Sequence, residues 1–181
     1  MEVLTTLSLS RFTLHLLTGF AVLINAGFAS AQTFFRKPPT NARIHNPAST
    51  EMQRNRTTIS IEVPEDAGAE LQGVVVSQLT NIDVWDWGRE QPKLYLGPYN
   101  LRRRGVSGAA KVATTENDAE ISIRFDPAIQ PGEQVNIVFR SFNPDAGIYQ
   151  WATTFIPNGV NPITSDGPTL RTSVYRNEYF R

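Results

Sequence analysis

The sequence predicts an all-β fold, a single immunoglobulin-like antiparallel sandwich, and three observations carry the prediction. Short apolar/polar alternations recur at intervals of roughly ten residues. Turn-forming Pro, Gly, Asn and Asp separate them, and almost no segment has a helical period. With no cysteine in the chain, packing rather than disulfides must hold the domain.

Residues 1–31 read as a leader outside the fold. The apolar run Phe12–Ile24 has the length of a signal-peptide core, short for a membrane span of about 20 residues. It is followed by Ala29-Ser30-Ala31, a small-x-small exit before Gln32. Removal leaves about 150 residues with no membrane span, the size of one domain with a real core. Export to the periplasm, the cell exterior or a thylakoid lumen is the expectation. Formal net charge is zero, so bulk electrostatics attracts neither nucleic acid nor anionic lipid.

Residues 32–56 carry prolines and polar residues with little periodicity and read as an irregular lead-in, with Phe34 and Phe35 as anchors for its start. The sandwich domain is expected over 57–181. Its first strand is Thr57–Val63, where Ile59, Ile61 and Val63 alternate with polar neighbours and Pro64 ends the run. Pro64–Leu71 predicts one helical turn with acids in its opening turn. Gly73–Leu79 is an apolar run that suits a strand buried on both faces.

Residues 80–108 form a long aromatic excursion with one or two short strands. Beyond it, Ala109–Pro127 reads as a hairpin turning at Glu116-Asn117-Asp118. Pro131-Gly132 leads into a strand with Val135, Ile137 and Phe139 on one face. Another puts Tyr149, Trp151, Thr153 and Phe155 on one side. Thr169–Phe180 gives the last strand.

Reactive machinery is sparse. After the leader, His45 and Met52 are the only soft metal ligands, seven residues apart in the lead-in, so no metal site is expected. A single histidine and no Gly-x-Ser-x-Gly elbow argue against a triad hydrolase. No cofactor motif is present. The acids Glu116, Asp118 and Glu120, with Asp166 elsewhere, fit turns better than a calcium loop.

The segment "IDVWDWGRE" holds the most suggestive chemistry. Trp85 and Trp87 share one face of an extended chain, with Asp86 on the other. Two readings stand. Tryptophan fills the core under a loop, or the pair forms an aromatic contact platform. The predicted contact set is Trp85, Trp87, Tyr95, Tyr99, Arg102, Arg103 and Arg104, within the 81–105 excursion, facing an envelope protein or glycan. An alternative is a glycan-active enzyme using Asp83 and Asp86 as paired carboxylates. The polar knot Asn143-Pro144-Asp145-Ala146-Gly147 reads as a structural corner, because each residue has a backbone reason to stand there.

Val63-Pro64-x-Asp66-Ala67-Gly68, Gln78, Pro127 and Pro131-Gly132 are one set of markers. Asn143-Pro144, Gly147-x-Tyr149 and Pro157-x-Gly159 are the other. Together they resemble the domain-of-unknown-function 2808 family of exported, mainly cyanobacterial proteins. The resemblance runs from about Thr57 to Gly159. It implies an exported β domain and no chemistry, since the family has no established activity.

Overall fold

The computed structural model describes residues 31–81, 83–98, 106–114 and 119–176. Among these no helix occurs, and thirteen strands run in antiparallel ladders. They are β1 (Asn41–His45), β2 (Arg54–Asn55), β3 (Thr58–Glu62), β4 (Leu71–Gln78), β5 (Lys93–Leu96), β6 (Val106–Gly108) and β7 (Ala110–Thr114), then β8 (Glu120–Ile129), β9 (Gln134–Val138), β10 (Ser141–Phe142), β11 (Gly147–Pro157), β12 (Ser165–Asp166) and β13 (Leu170–Val174).

One sheet has the order β1-β3-β9-β5-β6; the other runs β7-β8-β4-β11, with β12 and β13 sharing the far side of β11. The orders β1-β3-β9-β5 and β13-β11-β4 match the ABED and GFC sheets of an immunoglobulin-like sandwich, with β8 and β7 added beside β4. The period-two pattern builds the core between them. Ile59, Ile61, Val135, Ile137 and Phe139 face inward from the first sheet. Val74, Val76, Ile121, Ile123, Phe125, Tyr149, Trp151 and Phe155 face them from the second.

Three expectations need correction. The 32–56 stretch is built into the sandwich. β1 pairs along β3, Thr33 bridges Pro162, and Thr50 bridges Tyr175. Phe35 enters the core while Phe34 stays exposed. Pro64–Leu71 makes no helical turn. The Ala67 amide donates to the Pro64 carbonyl at 3.0 Å, a tight turn that Gly68 leaves at φ +76° beneath Arg36. Finally, β4 is not sealed on both faces. Val74 and Val76 are fully buried, whereas Val75 and Ser77 on the other face are only half-buried.

β2 and β10 form a two-stranded ribbon that extends the β3–β9 ladder. Asn55 pairs with Ser141 and Thr58 with Val138, in one unbroken register. Between them the Phe139 amide donates to the Thr57 carbonyl at 2.8 Å. Alternation along this ribbon decides what points in and what points out.

Candidate functional site

Trp85 and Trp87 share a face, as their spacing requires, but that face is the core. Trp85 is 0% and Trp87 4% exposed, while Asp86 between them is exposed. A contact platform is therefore overturned for both. The Gln78 side chain holds the segment in. Its amide donates to the Asp83 carbonyl at 2.7 Å and its oxygen accepts from the Trp85 amide at 2.8 Å. Trp85 then packs edge-on against Tyr149 and Trp151, each at 5.2 Å between centroids, and Trp87 lies 4.8 Å from Phe139. The indole N–H groups of Trp85, Trp87 and Trp151 are buried without a hydrogen-bond partner among the described residues.

The two aspartates of the enzymatic alternative serve different loops. The Asp83 carboxylate accepts from the Val84 amide at 2.8 Å and from the Asp145 amide at 3.2 Å. Asp86 accepts from the Gly88 amide at 2.7 Å. Both are turn acceptors. Asp86 also borders an open recess of about 600 Å³, lined by Val84–Pro92 and Phe139, that does not include Asp83.

The corner at Asn143 is a built structure. The Asn143 side chain is 2% exposed; its amide donates to the carbonyls of Ala48 and Thr50, both at 2.7 Å. Its oxygen accepts from Asn55 at 2.7 Å and from Asn46 at 3.2 Å. Pro144 is buried beside it, and beyond the turn the Tyr149 hydroxyl donates to the Asp145 carbonyl at 2.7 Å, the geometry of a tyrosine corner. Burial, aided by the Asp83 and Asp145 carboxylates, pushes this phenol up to about 12. Gly147 opens β11, where the nearest atoms to a would-be Cβ are those of the Tyr149 ring and Asn81, at 3.5 Å or more.

The other singled-out turn residues also serve the backbone. Gly132, at φ +86°, donates its amide to the Val63 carbonyl at 2.9 Å, so the Pro131-Gly132 turn closes on the end of β3. Asp66 pairs with Lys37 at 3.2 Å on the surface. Tyr95, half-buried, lies on β5. Tyr99, Arg102, Arg103 and Arg104 lie outside the described residues, as do Glu116 and Asp118.

The structure adds a set the sequence reading missed. Among the described residues, the outer face of the five-stranded sheet carries Arg43 and Lys93, and its continuation along the β2–β10 ribbon carries Arg54, Arg56 and Arg140, all exposed; the one acid is Glu62, which the Asn41 amide engages at 2.6 Å. The outer face of the other sheet is mixed. Lys111, Arg124 and Arg171 stand among Glu120, Asp126 and Asp166. A molecule with zero net charge thus sorts cations onto one sheet. At the end of that face Arg54, Arg56 and Arg140 line a recess of about 390 Å³ with Pro47, Ala48 and Asn55. The available signal was the alternation Arg54-Asn55-Arg56, which puts both arginines on the side opposite the buried Asn55.

Several solved structures have a similar chain path. An uncharacterised protein of Nocardia farcinica with an immunoglobulin-like fold shares 13% identity, covering 74% of this chain and 96% of its own, at a TM-score of 0.44. A cohesin–dockerin complex from Clostridium thermocellum gives 16% identity, 77% and 100% coverage and 0.43. The major pilin SpaD of Corynebacterium diphtheriae gives 10%, 75%, 34% and 0.44. No curated protein matches the chain. A family model described as a protein of unknown function (DUF2808) matches residues 32–173. The chain belongs to the DUF2808 family.

Proposed function

We propose that this is an exported, non-catalytic binding module of the cell envelope whose contact surface is the outer face of the five-stranded sheet. The observation that carries the reading is charge sorting: among the described residues, five exposed cations stand against one engaged acid on that face and its continuation along the β2–β10 ribbon, in a chain of zero net charge. Sheets tolerate like charges on one face poorly, and a single-sign field draws an oppositely charged partner to the surface. The leader ending in Ala29-Ser30-Ala31 supports export. Lys93 and Tyr95, from the excursion first favoured for contact, belong to this face; Trp85 and Trp87 do not. The partner class is anionic.

The test is elution from an immobilised acidic polysaccharide in a salt gradient. Wild type is retained, and Arg43→Glu/Lys93→Glu elutes at markedly lower salt. Arg124→Glu/Arg171→Glu, on the opposite sheet, elutes with wild type. Equal elution of all three would remove the assignment of the surface.

A further inference from the structure

Resting on that reading, we infer that Arg54, Arg56 and Arg140 form a subsite for the carboxylate of an anionic sugar unit in an acidic polysaccharide. The first argument is register. The ladder that pairs Thr58 with Val138 and Asn55 with Ser141 sets Arg56 opposite Arg140. In that register the Phe139 amide donates to the Thr57 carbonyl at 2.8 Å, so the two arginines next to this pair fall at a non-hydrogen-bonded position, where facing side chains stand closest. Like charges directly opposite destabilise a sheet. A broken local rule of this kind marks a functional position.

The second argument is the absence of a neutralising partner. Among the described residues no carboxylate lines the recess and none of the three arginines is ion-paired. An incoming anion removes the repulsion and gains the bonds.

Third, the site is prebuilt. Asn55, between Arg54 and Arg56 and 3% exposed, holds the strand from behind: its oxygen accepts from the amides of Ala48 at 3.2 Å and Arg56 at 2.7 Å. Its amide group donates to the Ala48 carbonyl at 2.6 Å and to Asn143 at 2.7 Å. Behind Arg140, Gly88 at φ +85° lets two loops touch, since a Cβ there would collide with the Arg140 carbonyl. A fixed backbone lets the planar guanidinium forks grip a carboxylate with little further ordering.

Fourth, Phe142 pairs with Arg54 across the ribbon and is 53% exposed. A flat apolar ring beside a cation suits the apolar face of a sugar ring whose carboxylate sits among the arginines. An acidic peptide offers carboxylates on flexible stems and no such face.

The experiment is calorimetric titration of the full mature chain with an oligogalacturonate, its methyl ester and poly-glutamate. The oligogalacturonate binds; the ester, with the same rings and no charge, does not. Arg56→Thr and Arg140→Thr each weaken binding about tenfold or more, and both raise the thermal midpoint of the free protein. Arg140→Lys, which keeps the charge and loses the fork, weakens binding too. Phe142→Ser weakens it without a change of charge. Equal affinity for poly-glutamate would overturn the sugar assignment. If the threonine variants bind normally while Arg43→Glu/Lys93→Glu does not, the face stands and the subsite falls. No binding of any probe to wild type would defeat both.

Discussion

The two sides of the β2–β10 ribbon carry polar residues of opposite fate. On the inner side Asn55 and Asn143 are almost fully buried and every bond they offer is used within the corner. On the outer side Arg54 and Arg56, flanking Asn55, and Arg140, just before β10, are exposed and unpaired among the described residues. Polar residues that close their own bonding serve the fold. Polar residues that leave a charge unanswered, against the preference of the sheet, leave work for a ligand.

The largest expected effect comes from the inner side. Trp85→Ala removes a fully buried indole that touches Tyr149, Trp151 and Trp87. It should cost about 3–5 kcal/mol in denaturant unfolding, whereas a surface platform would lose almost none. Asn143→Ala comes next. It takes the acceptor from one N–H each of Asn55 and Asn46 and one donor each from the carbonyls of Ala48 and Thr50, and should cost about 3 kcal/mol. Arg54→Ala, on the other side of the same ribbon, should stay within about 0.5 kcal/mol. Similar losses from Asn143→Ala and Arg54→Ala would erase the contrast.

Smaller than the loss at Asn143 is that of Tyr149→Phe, at about 1 kcal/mol through the lost bond to Asp145. The phenol is raised in the folded protein to about 12, chiefly by burial, so its contribution is complete below the ordinary tyrosine value. It disappears as pH climbs through that window toward 12. Stability measured between about pH 9 and 12 should therefore fall more steeply for wild type than for Tyr149→Phe. Parallel curves would contradict the corner's role.

Most of the architecture was legible in the sequence because period-two alternation and turn residues act locally. The β3, β8, β9, β11 and β13 strands follow from it, and so does the shared face of Trp85 and Trp87. Which side that face meets was not legible, because exposure depends on Gln78, Tyr149 and Trp151 closing over it. β1 escaped notice for a related reason. Only Ala42 and Ile44 of its five residues are even partly buried, and backbone pairing to β3 holds it. The turn at Pro64 has the composition of a helix start, yet Gly68 takes a positive φ and ends it after one bond. The arginine recess needs Arg56 to meet Arg140, and a partner across a ladder is set by register, which no local pattern reveals.

The most direct test of the contrast between the ribbon's two sides is the unfolding free energy of Arg140→Thr against wild type at low salt, without ligand. Relief of the opposition to Arg56 should make the variant more stable by a few tenths to about 1 kcal/mol, with the gap closing as salt is added. A variant less stable than wild type at every ionic strength would mean that Arg140 is part of the scaffold, and the division between the two sides would not hold.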